Sequence, residues 1–199
     1  MKRLFQLAGL ACLLLAPIWA GADDKDKYQV ANDKPKYANT TFVATADEVI
    51  DKMFELGNIT SKDIMFDLGC GDNRICFKAA KKFGCRGVGI EINPDRIREA
   101  MSKYEDYNGG KEFGRLLALV ETRHGDALAV KDISDATVVV MYMFPEFMDL
   151  WLPIAKEKLQ PGTRILAHDY AFHKWDPDQT VTVKSSTREH KVHMWTVKK

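Results

Sequence analysis

Acidic residues recur where short apolar runs end. Ile64-Met65-Phe66-Asp67-Leu68 passes into Gly69-Cys70-Gly71-Asp72, Gly87-Val88-Gly89-Ile90 leads to Glu91-Ile92, and Leu119-Val120-Glu121-Thr122-Arg123 is followed by Asp126. Gly69 and Gly71 permit a tight turn and let a ligand approach bare backbone. Glu91, twenty residues after Gly71, stands where an acid accepts hydrogen bonds from both ribose hydroxyls of a nucleoside. A pyrophosphate does not suit this loop. Counted from Gly69, a G-x-G-x-x-G pattern has Arg74 in place of its third glycine, and no G-x-x-x-x-G-K-[ST] stretch occurs. Asp67 and Asp72 flank the loop with negative charge, which suits a cationic nucleoside without phosphates. S-adenosylmethionine, with its ammonium and sulfonium groups, is such a ligand. A second group of side chains with chemical potential follows two later apolar runs: Tyr142, Phe144, Pro145 and Glu146 after the fourth, and His168-Asp169 after the fifth, with His173 and Trp175 nearby.

The elements that must hold these residues alternate. Thr45-Ala46-Asp47-Glu48 reads as a capping box opening a helix over 46–56, where Val49, Ile50, Met53, Phe54 and Leu56 form an apolar stripe. Strands are expected at 64–68, 87–92, 119–123, 136–143 and 163–168. Helices are expected at 74–83, 94–107 (Asn93 as cap, Pro94 at the first position) and 145–159. Residues 180–185 and 190–196 read as a closing antiparallel pair. This is an α/β fold: a Rossmann-like, doubly wound, mostly parallel seven-strand sheet with an antiparallel C-terminal hairpin. Ligands bind such sheets beyond the carboxyl ends of the strands, where the acids stand.

The first residues are of a different kind. Lys2-Arg3, the uncharged run Leu4–Ile18 and Ala20-Gly21-Ala22 have the layout of a secretory signal peptide over 1–22. An uncleaved membrane anchor is the alternative, although the run is shorter than the ~20 residues that a spanning helix needs. Residues 23–40 read as a flexible linker and 41–199 as the functional domain. Cleavage after Ala22 removes two positive charges from a chain of net charge +1 and leaves −1, which argues against a nucleic-acid partner. Hydrophobic residues are 46% of the chain, enough for a core and against disorder. Cys70, Cys76 and Cys85 remain, an odd number that forms no closed disulfide framework; they read as buried thiols. The histidines show no metal-ligand spacing, so no metal is expected. His190 and His193 are expected to be solvated.

Asp67-Leu68-Gly69-Cys70-Gly71, Glu91 and Asp126 resemble the first three motifs of the class I, seven-strand S-adenosylmethionine-dependent methyltransferases, over about residues 42–197. Within the class, Phe42-Val43-Ala44-Thr45, Asp67-Leu68-Gly69-Cys70-Gly71-Asp72-Asn73-Arg74-Ile75, Gly87–Pro94 and Tyr142-Met143-Phe144-Pro145 are most similar to the small protein-lysine methyltransferases related to the mitochondrial enzymes acting on the adenine nucleotide translocase and the ATP synthase c subunit. Asn73 departs from the pattern, which has Gly there; Asn tolerates positive φ better than most residues. The resemblance implies that Asp67, Gly69 and Gly71 surround the methionine part of the cofactor, Glu91 holds the ribose, and Asp126 lies near the adenine amino group. It also implies that Phe42 and Thr45 fold over the cofactor and that the partner is a protein lysine. Arg74 stands either on the cofactor carboxylate or on the surface.

For a lysine nucleophile, Tyr142 and Glu146 are the catalytic candidates, and Phe144, Pro145 and His168 the candidates for lining the substrate path. A lysine nucleophile must lose its proton from a pKa near ~10.4, so a desolvating pocket or an acceptor is needed. The alternatives are that Tyr142 and Phe144 belong to the core, that Glu146 is a first-turn helix acid, and that His168 is a hydrogen-bonded structural residue. Two further functions stand beside lysine methylation: a small-molecule O- or N-methyltransferase, and a cofactor-binding module without turnover. The second is motivated by the distance between an exported chain and a cofactor made in the cytosol.

Overall fold

The computed structural model describes residues 41–108 and 111–198. The expected signal peptide 1–22 and linker 23–40 lie outside the described residues. The chain runs α1 (Asp47–Leu56), β1 (Ile64–Leu68), α2 (Arg74–Phe83), β2 (Arg86–Glu91), α3 (Pro94–Asn108), α4 (Lys111–Leu117), β3 (Val120–His124), β4 (Val138–Met141), α5 (Pro145–Lys158), β5 (Arg164–His168), β6 (Gln179–Lys184) and β7 (Glu189–Thr196). The seven strands form one sheet in the order β3-β2-β1-β4-β5-β7-β6. The first five strands pair in parallel, while β7 runs antiparallel between β5 and β6. The expected fold class is the one observed.

Alternate residues along the strands feed two cores. Phe66, Leu68, Val139 and Met141 join Trp151 of α5 and Trp195 of β7 on one side. Met65, Val138 and Val140 join α1 and α2 on the other, through Val49, Met53, Phe54, Ile75 and Ala79. Burial on both sides is why these strands read as continuous apolar runs rather than alternating ones. Strand order reverses between β1 and β4, so their carboxyl ends border a crevice, the place where such sheets take ligands.

Three local readings need correction. Ala46, not Thr45, precedes the first turn of α1, and no side chain among the described residues caps it. The Thr45 hydroxyl instead lies 3.2 Å from Nδ1 of His168, so a long-range bond displaces the local capping box. Strand β4 stops at Met141, where its pairing with Leu68 of β1 ends; Tyr142 and Met143 are thereby turned out of the sheet. Helix α4 had no counterpart in the sequence reading, because Gly114 lies inside it and weakens the periodic signal. Cys70, Cys76 and Cys85 are free and buried, and burial pushes all three thiols up. No helix among the described residues is long and apolar enough to cross a membrane.

Candidate active site

The turns after β1, β2, β3 and β4 converge on one pocket. Its wall includes Thr45, Asp67, Gly69, Asp72, Arg74, Glu91, Asn93, Asp126, Tyr142, Met143 and Phe147. Glu91 ties the turns together. Its Oε2 accepts from the Gly71 N–H at 2.8 Å and its Oε1 from the Asn93 N–H at 2.8 Å. Its own carbonyl accepts from Gly125 N–H at 2.8 Å. One carboxylate thus sets the glycine loop and the start of α3. Its unused lone pairs, since each carboxylate oxygen carries two, remain for a ligand's hydroxyls.

The glycine loop is tight for steric reasons. Gly71 has φ +55°, and a Cβ there would lie 2.0 Å from Cε2 of Phe42. The Phe42 ring therefore rests against bare backbone, with the Arg96 guanidinium 5.1 Å from its centroid. Asn73 adopts the left-handed region at φ 56° and donates from Nδ2 to Thr122 Oγ1 at 2.7 Å, which pins the loop to β3. A Cβ on Gly89 would meet Asn73 Oδ1 at 2.5 Å and Cys70 Sγ at 2.6 Å. Gly89→Ala is therefore expected to destabilise the fold by about 1–3 kcal/mol, the usual cost of overpacking, and to weaken cofactor binding, as read by thermal melting with and without S-adenosylhomocysteine.

Asp67 is the site's unsatisfied carboxyl group. It is 2% exposed, and its Oδ2 has no hydrogen-bond partner among the described residues. Burial, then the nearby Glu91 and Asp72, push its carboxyl well above the usual range. Asp72, by contrast, is engaged by Arg74, whose Nε donates to Oδ1 at 2.9 Å and whose guanidinium also reaches Oδ2 at 2.6 Å. Arg74 is therefore at the pocket and offsets the charge of Asp72, leaving Asp67 to attract a cation. Asp126 Oδ1 accepts from Leu128 N–H at 2.8 Å and shapes the turn over Ala127–Ala129. A buried orphan carboxylate, a bare-backbone loop and a carboxylate at the ribose position fit S-adenosylmethionine.

The other candidates separate. Tyr142 is in the pocket wall, whereas Phe144, Pro145, Glu146 and His168 are not part of it. Pro145 and Glu146 begin α5, and Glu146 is exposed. Phe144 is 47% exposed and packs on Tyr170 with ring centroids 5.5 Å apart. His168 is buried behind Tyr142, ring centroids 3.9 Å apart, and burial holds its pKa down at about 4. Its Nε2 lies 2.8 Å from Nδ1 of His190, whose Nε2 lies 3.1 Å from Ser185 Oγ. His190 and His193 are buried, not solvated as expected, because β7 sits inside the sheet between β5 and β6. The fold also gathers His168, Asp169 and His190 ring and carboxylate atoms within 4.8 Å, a grouping invisible in their spacing. The Arg188 guanidinium already lies on Asp169 Oδ2, which opposes a second cation beside it. Met143, Phe147 and Arg96 escaped the sequence reading. The proximity of Arg96 to Asn93 at the start of α3 was the available signal.

Known proteins resemble this chain in sequence and fold. A protein-lysine N-methyltransferase from Saccharolobus islandicus is 36% identical over 157 residues, covering 78% of this chain and 92% of that protein. The mouse lysine N-methyltransferase of the ATP synthase c subunit is 30% identical over 122 residues, 58% of this chain and 43% of that protein. Among solved structures, an RNA methyltransferase from Salinibacter ruber in complex with S-adenosyl-L-homocysteine superposes with a TM-score of 0.68 at 39% identity, covering 78% of this chain and 94% of that one. With Asp67 at one end of the matched segment and the start of the closing hairpin at the other, residues 67–179 match the ANTKMT methyltransferase domain, and the chain belongs to that family.

Proposed function

We propose that the protein is an S-adenosylmethionine-dependent protein-lysine N-methyltransferase. The observation that carries the cofactor is the buried Asp67 Oδ2, without a hydrogen-bond partner among the described residues, in a pocket whose glycine loop is tied to Glu91. Two relatives support the lysine: the Saccharolobus and mouse proteins are both lysine N-methyltransferases, the first covered over 92% of its length. When bound, the cofactor supplies a methyl group already activated on a sulfonium. The chain's residues hold and align. Asp67 pairs with the ammonium, Glu91 accepts from the ribose, and Tyr142, Met143 and Phe147 wall the side from which a nucleophile enters. Alignment of this kind is the main source of acceleration in such a transfer. Burial and the neighbouring Asp169 raise the Tyr142 phenol, so at neutral pH it remains an O–H that orients rather than a base.

Isothermal titration with S-adenosylhomocysteine is expected to give saturable binding, and labelled methyl is expected in protein, in acid-stable form on lysine. Absence of binding at millimolar ligand would overturn the cofactor assignment. Label in an RNA fraction would favour the chemistry named for the Salinibacter relative, and label in a low-mass product would favour a small-molecule acceptor. The net charge of −1 after removal of residues 1–22 weighs against a polyphosphate partner. For location, the basic, apolar and small-residue pattern over 1–22 supports export with cleavage after Ala22; N-terminal sequencing of the protein recovered from the cell exterior or envelope is expected to begin at Asp23.

A further inference from the structure

A row of aromatic rings leads from the protein surface to Asp169. Phe144, 47% exposed, packs on Tyr170. Tyr170 stacks on Tyr142 with centroids 6.0 Å apart, and the Tyr142 hydroxyl donates to Asp169 Oδ2 at 3.2 Å. Tyr142 belongs to the wall of the cofactor pocket, so the row meets that pocket at Tyr142. Aromatic faces attract ammonium groups, most when water is excluded.

Asp169 is held by more than its neighbours' charge. It adopts the left-handed region at φ 61°, its N–H donates to Lys191 O at 2.8 Å, and its Oδ1 accepts from Lys191 N–H at 3.0 Å. These bonds to β7 fix one carboxylate oxygen and present the other. Around Oδ2 stand Tyr142, the His168 Nε2 at 3.4 Å, the His190 Nδ1 at 3.6 Å and the Arg188 guanidinium. His168, pushed down to about 4, is uncharged at neutral pH. Arg188 is a half-exposed side chain in the turn between β6 and β7, and it also reaches the Tyr142 hydroxyl at 3.3 Å. A long, flexible cation from an exposed turn therefore occupies a preset carboxylate at the end of an aromatic row. A carboxylate so enclosed demands a cation, because leaving it unpaired is costly; an exposed arginine can be exchanged for another cation of similar length.

Resting on the lysine reading, we propose that Asp169 with Tyr142 receives the substrate's alkylammonium group and that Arg188 holds this position until the substrate displaces it. The occupant is a primary ammonium on an unbranched alkyl stem, reaching Asp169 along Phe144 and Tyr170.

The test uses the full protein saturated with S-adenosylhomocysteine. Titration with n-butylammonium chloride at millimolar concentration is expected to move the Arg188 Nε–H resonance toward that of free arginine, with sodium chloride at equal ionic strength leaving it in place. An unmoved resonance, or an equal response to sodium, overturns the proposal. In labelled methyl transfer to poly-L-lysine, Arg188→Ala is expected to lower KM about fivefold or more, without changing the affinity for S-adenosylhomocysteine. Lys184→Ala, which removes the same charge four residues away, is expected to leave KM unchanged. A raised KM in Arg188→Ala, or an equal fall in Lys184→Ala, overturns it as well. Asp169→Asn is expected to raise KM tenfold or more and to abolish the butylammonium response. Displacement of Arg188 by butylammonium without label transfer to any protein would count against the lysine assignment while leaving the cation site established, so the two failures differ.

Discussion

Asp67→Asn is expected to raise the melting temperature of the ligand-free protein while lowering its affinity for S-adenosylhomocysteine at least a hundredfold. The two effects share one cause. Asp67 is buried, its Oδ2 lacks a partner among the described residues, and its carboxyl is held well above the usual range by burial and by the acids beside it. An acid whose folded pKa lies above its unfolded value costs stability at every pH above the unfolded value, and the cost grows until the folded pKa is reached. Asparagine keeps the volume and removes that cost. A gain of about 1–2 kcal/mol, in line with the penalty for an unpaired buried polar group, corresponds to roughly 2–8 °C for a chain of this size. The difference between wild type and variant should shrink as the pH falls toward the ordinary carboxylate range. With ligand the sign reverses. The ammonium then loses its buried partner, a loss of about 3–5 kcal/mol when one member of such a pair is removed, or about two to four decades in Kd. Melting curves across pH and isothermal titration measure both. A variant that melts lower and binds normally would refute this account.

Glu91→Ala should also abolish binding, but with the opposite effect on stability. Its carboxylate accepts the backbone N–H groups of Gly71 and Asn93, and deleting it strands two donors. Each stranded buried donor costs about 1–3 kcal/mol, so melting is expected to fall by several degrees while Kd for S-adenosylhomocysteine rises a hundredfold or more. Glu91→Gln separates this bridging role from simple negative charge. A glutamine carbonyl can accept one of the two N–H groups, but its amide then points hydrogens at the other. The glutamine variant is therefore expected to behave nearly as badly as the alanine variant in both measurements. A glutamine variant with wild-type melting and binding would mean that neither N–H depends on the carboxylate. Two acids of one pocket, adjacent in the sheet, are thus predicted to move stability in opposite directions, because one is satisfied by backbone and the other awaits its ligand.

The cofactor side of this protein was legible because it is local. Asp67 lies near the end of β1 with Gly69 and Gly71 in the turn just after it, Glu91 ends the next strand, and parallel pairing of β1 with β2 brings Gly89 opposite Asp67 and Ile90 opposite Leu68. Strand, turn and helix each announce themselves over a few residues, and chain direction alone places every strand's carboxyl end on one edge. The roles of Asp72 and Arg74 were less legible, since a run of charges does not reveal that the two neutralise each other.

Composition, apolar runs and the glycine–acid spacing by themselves determined an α/β sheet, a cationic nucleoside and a closing antiparallel pair. Only the tertiary structure decided what lies across the pocket. Thr45 bonds His168 over 123 positions, His168 meets His190 over 22, and Arg188 reaches Tyr142 over 46. These partners meet because β7 inserts antiparallel between β5 and β6, which buries histidines that look solvated in a hairpin and carries an arginine to a carboxylate at the end of β5. Spacing along a chain encodes what one strand and its turn can do, whereas contacts between distant strands depend on the order in which the sheet is assembled.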